Sequence, residues 1–153
     1  MIFITLGSQK FQFNRLLMAA DELQTDEEIF AQIGCSDYKP RNYKYKNFLD
    51  RDEFSEVMDK VDIVITHGGT GTIMGALKRG KKVIAVPRLA EYGEHVDDHQ
   101  LQLVERFKEL DLIYACEDMD LEKALKVVNN HRYKKYNSNT ETIIRSLEKF
   151  IGE

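Results

Sequence analysis

Residues 61 to 100, VDIVITHGGTGTIMGALKRGKKVIAVPRLAEYGEHVDDHQ, constrain the fold more than any other stretch. Val61 to Thr66 is a short β-branched run without helical period, and it empties into His67-Gly68-Gly69-Thr70-Gly71-Thr72. A helix over Thr72 to Arg79 follows, stops at Gly80, and leads into a buried strand, Lys82 to Val86, closed by Pro87. This is one βαβ unit in which two consecutive strands end at loops on the same side of a sheet. A glycine turn opening a helix leaves backbone N–H groups pointing outward, where phosphate is the natural guest. The bland alternative is a tight strand-to-helix connection. The polar run Glu94-His95-Val96-Asp97-Asp98-His99-Gln100 favours a site, since a turn needs far fewer hydrogen-bonding groups.

The flanking chain repeats the pattern. Ile2 to Leu6 reads as a strand running into Gly7-Ser8-Gln9, followed by a helix over Phe13 to Leu23. Glu28 to Ile33 and Tyr43 to Phe48 read as strands two and three, the last with outer-strand alternation of apolar and basic residues. Asp50 and Glu53 form a capping box for a helix over Arg51 to Met58, with Phe48 and Leu49 as a hydrophobic staple. An amphipathic helix over Val96 to Leu110, a short strand over Leu112 to Ala115, a helix over Leu121 to Asn129 and a last helix over Thr140 to Ile151 complete the chain. Strands alternating with helices predict a single α/β domain over residues 1 to 153, Rossmann-like and doubly wound, with parallel strand order 3-2-1-4-5-6 and ligands at the strands' carboxyl ends.

Several function classes drop out. Neither G-x-x-x-x-G-K-[ST] nor G-x-G-x-x-G after a first strand is present, which removes the main support for ATPase and dinucleotide readings. A net charge of −4 argues against nucleic acid as a partner. The clusters Lys39-Arg41-Lys44-Lys46 and Arg132-Lys134-Lys135 are either contacts for anionic headgroups or solvated surface. MIFITLG has the character of a strand rather than a signal peptide, and no window reaches the roughly 18 apolar residues of a membrane span. Cys35 and Cys116 lack metal-type spacing and are expected to be reduced, buried thiols of a cytosolic protein.

H-G-G-T-G-T, G-K-K-x-I-A-V-P and the run P-R-L-x-x-Y-G-E-H-V-D-D-H-Q together resemble the donor-binding half of GT-B glycosyltransferases of the family 28 C-terminal-domain type. The chain is most similar to the small catalytic subunits of two-component bacterial exopolysaccharide and capsule β-1,4-galactosyltransferases. It is more distantly similar to the eukaryotic UDP-GlcNAc transferase subunit of dolichol-oligosaccharide synthesis. The resemblance implies a UDP-sugar donor, galactose or GlcNAc, inverting transfer to a lipid-linked acceptor, and no cofactor or metal; the alternative is a nucleotide-sugar binding module without catalysis. It implies diphosphate contacts from Gly7, Ser8 and the turn His67, Gly68, Gly69, Thr70, Gly71 and Thr72, with His67 as a candidate stabiliser of the leaving group. It puts uracil at Phe48 and Leu49 and the sugar at Asp98, His99 and Gln100.

The family's ribose-binding glutamate is replaced by Gly75, so ribose contacts must come from elsewhere; a mid-helix glycine marks close approach of another backbone or a ligand. Arg88 either faces phosphate or pairs with Glu91 or Glu94, and His95 and His99 either bind a metal or serve as surface and N-cap groups. No general base is assigned, because a full GT-B enzyme has a second, acceptor domain. The resemblance therefore implies a membrane-associated partner subunit that supplies the acceptor side and holds this chain at the cytoplasmic membrane face, with the helix 140–151 as a docking element.

Overall fold

Strands that are mostly apolar and buried on both sides can be satisfied only where helices cover both faces of a sheet. Ile2–Thr5 (β1), Ile63–His67 (β4) and Lys82–Val86 (β5) are of this kind, and all but Lys82 of their residues are buried. In the computed structural model, which describes residues 1–7, 10–137, 142, 144–146 and 149, they form the centre of a six-stranded parallel sheet. Ile29–Gln32 (β2), Lys44–Lys46 (β3) and Tyr114–Ala115 (β6) complete the order β3-β2-β1-β4-β5-β6. The edge strand β3 exposes Lys44 and Lys46 on either side of Tyr45, so charge guards the open edge.

Alternation along each strand divides the core. Ile2, Ile4, Ile63, Ile65, Ile84 and Val86 face one cluster, covered by α1 (Asn14–Asp21) and α5 (Leu121–Asn130). Phe3, Val64, Val83 and Ala85 face the other, covered by α2 (Arg51–Lys60), α3 (Thr70–Lys78) and α4 (His99–Glu109). β1 and β4 are neighbours, with Thr5 opposite Thr66, yet their helices α1 and α3 lie on opposite faces. The connections therefore diverge between these two strands, at the position where such sheets open a crevice.

The capping box at α2 is complete: Asp50 accepts from Glu53 N at 2.8 Å, and Asp50 N donates to Glu53 Oε1 at 3.3 Å. Leu49 and Phe54, the residues flanking the cap as a staple would, both pack on the second cluster, whereas Phe48 is 51% exposed.

Other boundaries differ from expectation. α1 ends at Asp21, whose carboxylate leaves the helix pattern to accept from Arg41 N, Asn42 N and the Tyr38 hydroxyl. α3 starts two residues early, at Thr70. α4 starts three residues late, because Ala90–Tyr92 forms a 3-10 turn ended by Gly93 at φ +69° and the chain stays irregular until His99. Cys35 is exposed, contrary to expectation; Cys116 is buried, and burial pushes its thiol up to about 11. Of the expected helix 140–151 only Thr142, Ile144 to Ser146 and Lys149 are described; Ile144 is buried in the second cluster, and the rest of that expectation lies outside the described residues.

Candidate donor site at the carboxyl edge of the sheet

His67 is the last residue of β4 and is only 5% exposed. Its imidazole sits between two glycine turns: a Cβ on Gly7 would lie 2.5 Å from Nε2, and a Cβ on Gly69 would lie 2.2 Å from Cε1. Only glycine fits at either position, and Gly7, at φ +73°, needs it for its backbone as well.

Behind the ring lies Gln100, which is fully buried. Its Oε1 accepts from Gly68 N and from Arg88 N, each at 3.0 Å. Two backbone donors on the oxygen fix the amide's orientation, so the Nε2 amide donates to His67 Nδ1 at 3.1 Å. A ring that accepts at Nδ1 carries its proton at Nε2 when neutral. Neutral it is, since burial, with the Arg88 cation nearby, pulls its pKa down to about 3. The arrangement delivers an N–H donor, edge-on to Gly7, where β1 leaves the sheet.

This changes the expected role of Gln100. Instead of reaching a sugar, its carboxamide is spent on joining the ends of β4 and β5 and on setting a histidine tautomer. Gly68 has a packing reason too, because a Cβ there would meet Gln100 Cβ at 2.9 Å and Val104 Cγ2 at 3.0 Å. Gly71 is different: it is exposed and a Cβ would meet nothing within 4 Å. Gly71 and its neighbours Thr70 and Thr72 make up the first turn of α3, and among the described residues the first intrahelical bond on this turn runs from Ile73 N to Gly69 O, so the N–H groups of Gly71 and Thr72 precede the helix's own ladder. Gly75 likewise has open space around its missing Cβ among the described residues, so the expected close approach to another backbone is not present.

Arg88 pairs with neither Glu91 nor a surface group. It is 1% exposed, and its guanidinium donates to the carbonyls of Leu6 (2.6 Å), Phe11 (3.0 Å) and Glu94 (3.1 Å) over the face of Phe13. Burial lowers it to about 10, so it remains a cation beneath the β1 exit. The Glu94 carboxylate turns to Arg15 instead, at 2.9 and 3.0 Å, and accepts from Leu89 N at 3.1 Å. Nothing in the sequence marked Arg15 for this pairing. Beside it, Lys10, Phe11, Arg15, Tyr92, Glu94 and Met119 are among the walls of a cleft of about 950 Å³.

The remaining candidates are more dispersed. Asp98 is exposed and accepts from Ala90 N at 2.8 Å; His99 makes a short contact with Asp97. His95, Asp97 and His99 bring one ligand atom each within 4.8 Å of one another, a grouping that hydrogen bonding inside this five-residue loop accounts for. The loop that carries Leu49 is tied to the β1 exit: Gly34 N donates to Asn47 O at 2.7 Å, and a Cβ on Gly34 would lie 3.4 Å from Gly7 O. Ser8 lies outside the described residues.

A polar row was missed by sequence reasoning. Gln32, Thr5 and Thr66 are register partners on neighbouring strands, all buried, and Gln32 Oε1 and Thr66 Oγ1 have no hydrogen-bond partner among the described residues. Its signal was legible as polar residues in the last position, or nearly so, of otherwise apolar strands.

The model of the glycosyltransferase family 28 C-terminal domain matches residues 1–151. Two UDP-N-acetylglucosamine transferase subunits named ALG13 are similar in sequence: that of Homo sapiens is 27% identical over 75% of this chain and 11% of its own length, that of Saccharomyces cerevisiae 32% identical over 56% and 44%. The chain thus spans less than half the length of these curated relatives. Among solved structures, an NMR structure of ALG13 has a TM-score of 0.61 at 19% identity, with 99% of this chain and 96% of that one covered. The glycosyltransferase SnogD from Streptomyces nogalater has 0.58 at 18%, covering 99% and 39%. At these identities the likeness is one of fold.

Proposed function

Because the chain belongs to the glycosyltransferase family 28 C-terminal-domain family, we propose that it is the donor-binding, catalytic half of an inverting UDP-hexose transferase. The observation that carries this reading is His67: a neutral imidazole, its proton held at Nε2, between the exit of β1 and the first turn of α3. A diphosphate bridging these two turns receives the α3 N–H groups and the imidazole N–H together. As the bond from the sugar to UDP breaks, negative charge grows on the departing phosphate, and fixed donors stabilise that charge more than they stabilise the bound donor. The helix terminus contributes about 0.3 to 2 kcal/mol, to which the direct hydrogen bonds add. No metal or cofactor enters this scheme.

Uracil lies against Leu49 in this reading, paired with backbone groups while the side chain stays packed beside Phe54. The sugar is read by the loop 95–99 rather than by Gln100. The residue that activates the acceptor hydroxyl comes from a membrane-associated partner subunit that binds a lipid-linked acceptor and holds this chain at the cytoplasmic membrane face. That the curated relatives are named as subunits supports a two-component enzyme. The combined motif favours galactose as the sugar and exopolysaccharide or capsule as the product. GlcNAc is the second reading, favoured by the names of the same relatives.

Titration of the purified chain with UDP, UDP-galactose, UDP-GlcNAc and ADP tests the assignment. UDP is expected to bind and ADP to bind at least tenfold more weakly; ADP equal to or tighter than UDP removes the uridine reading. Turnover with the co-expressed partner then ranks the two sugars.

A further inference from the structure

At the opposite, amino edge of the sheet is a second cavity, of about 550 Å³. Its walls carry Lys78 of α3, Lys81 from the turn before β5, Lys82 from the first position of β5, and Arg132, Lys134 and Lys135 from the segment that follows α5. No described acidic side chain lines it. In a chain of net charge −4, six cations around one concavity run against the overall balance.

Most of these cations are uncompensated among the described residues. Among the described residues Lys82, Arg132, Lys134 and Lys135 have no carboxylate within ion-pair distance, while surface cations elsewhere, such as Lys46 with Glu53 and Arg106 with Glu109, do. Of the acidic groups nearby, Asp111 is taken by His131 at 2.8 Å and Asp62 by the N-terminal ammonium at 3.1 Å, and Lys81 donates to a backbone carbonyl, that of Asp59.

The segment is also held in place. It crosses the sheet's amino edge from one core cluster to the other: Tyr133 packs on the cluster of α1 and α5, Tyr136 on that of α2, α3 and α4. Lys134 N donates to Asp111 O at 2.9 Å. Anchored backbone with outward cations costs less ordering on binding than a flexible basic tail.

We propose that this cavity is a second anion site, for a phosphate-bearing group, either a phosphodiester lipid headgroup or a soluble phosphate. It sits at the end of the sheet away from His67, so it can be filled while the donor site is occupied, and it does not depend on the donor reading. Planar guanidinium and point-like ammonium groups together suit the several oxygens of a phosphate.

The test compares the wild-type chain with Arg132→Glu/Lys134→Glu/Lys135→Glu and with a control reversed at the β3 edge, Lys39→Glu/Arg41→Glu/Lys44→Glu. Two probes are used: flotation with phosphatidylcholine vesicles with and without phosphatidylglycerol, and calorimetric titration with inorganic pyrophosphate under saturating UDP. Binding to phosphatidylglycerol vesicles, lost at least tenfold in the first variant but not in the control, assigns the headgroup source. Pyrophosphate binding with the same pattern and no vesicle binding assigns the soluble source. Absence of both in the wild type, or equal loss in the two variants, overturns the proposal. Arg132→Gln and Lys134→Gln, which keep the side-chain stems, stand in if the triple variant fails to fold by circular dichroism. UDP titration of the wild type is read separately, so failure there bears on the donor site alone.

Discussion

His67 couples the site to the stability of the fold. Its folded pKa, about 3, lies below the ordinary 6.5, so the unfolded chain binds the extra proton first. The contribution is therefore fully present above about pH 6.5 and is lost as pH falls towards 3, at up to about 1.4 kcal/mol per pH unit. In urea melts from pH 7 to 4, His67→Gln is expected to lose less stability on acidification than the wild type; parallel curves would refute a buried neutral imidazole. Gln100→Ala should behave differently from the replacement of a sugar ligand. It strands Gly68 N, Arg88 N and His67 Nδ1, at a cost on the order of 3 kcal/mol. UDP and UDP-sugar affinities are then expected to fall together. A loss confined to the sugar-dependent part would return Gln100 to the role its motif implies.

The elements divide into those the sequence dictates alone and those that need the third dimension. β5 keeps its expected bounds and α2 starts at its expected residue, since an apolar run behind a lysine and a capping box are local signals. α4 does not, because the 3-10 turn and the irregular run to His99 owe their course to long-range partners: Arg88 beneath Glu94 O, and Asp98 on Ala90 N. The glycine turn was legible as a turn, but which glycine serves packing and which serves a ligand was not, as that depends on a ring from the preceding strand and a helix 32 residues on. The distinction is testable. Gly71→Ala meets no atom and removes a glycine from an exposed helix turn, so stability should rise by up to about 1 kcal/mol. If the α3 amides hold a diphosphate, UDP affinity should drop at least tenfold in the same variant. Unchanged affinity would move the phosphates elsewhere. Gly69→Ala, in contrast, should displace the His67 ring and lower both properties.

On the scale of the whole molecule, strand order was readable because alternation of period-2 and period-3.6 patterns leaves few ways to cover a parallel sheet. The convergence of Gly7, His67 and the α3 turn follows from that topology, since β1 and β4 are the neighbours whose helices part company. The partners of the buried arginine and of the polar row were not readable, because a single charged or polar letter in an apolar stretch carries no record of its partner. One consequence concerns how the sheet opens. The N–H groups of Gly68 and Arg88 are hydrogen-bonded to one side-chain oxygen rather than to a ladder carbonyl. Their solvent exchange, followed by NMR in deuterium oxide, should thus report the local release of α4 from the strand ends, faster than Ile65 and Ile84 at the centre and abruptly faster still in Gln100→Ala. Two amides thereby become a built-in gauge of how often this edge of the molecule comes undone while the remainder stays folded.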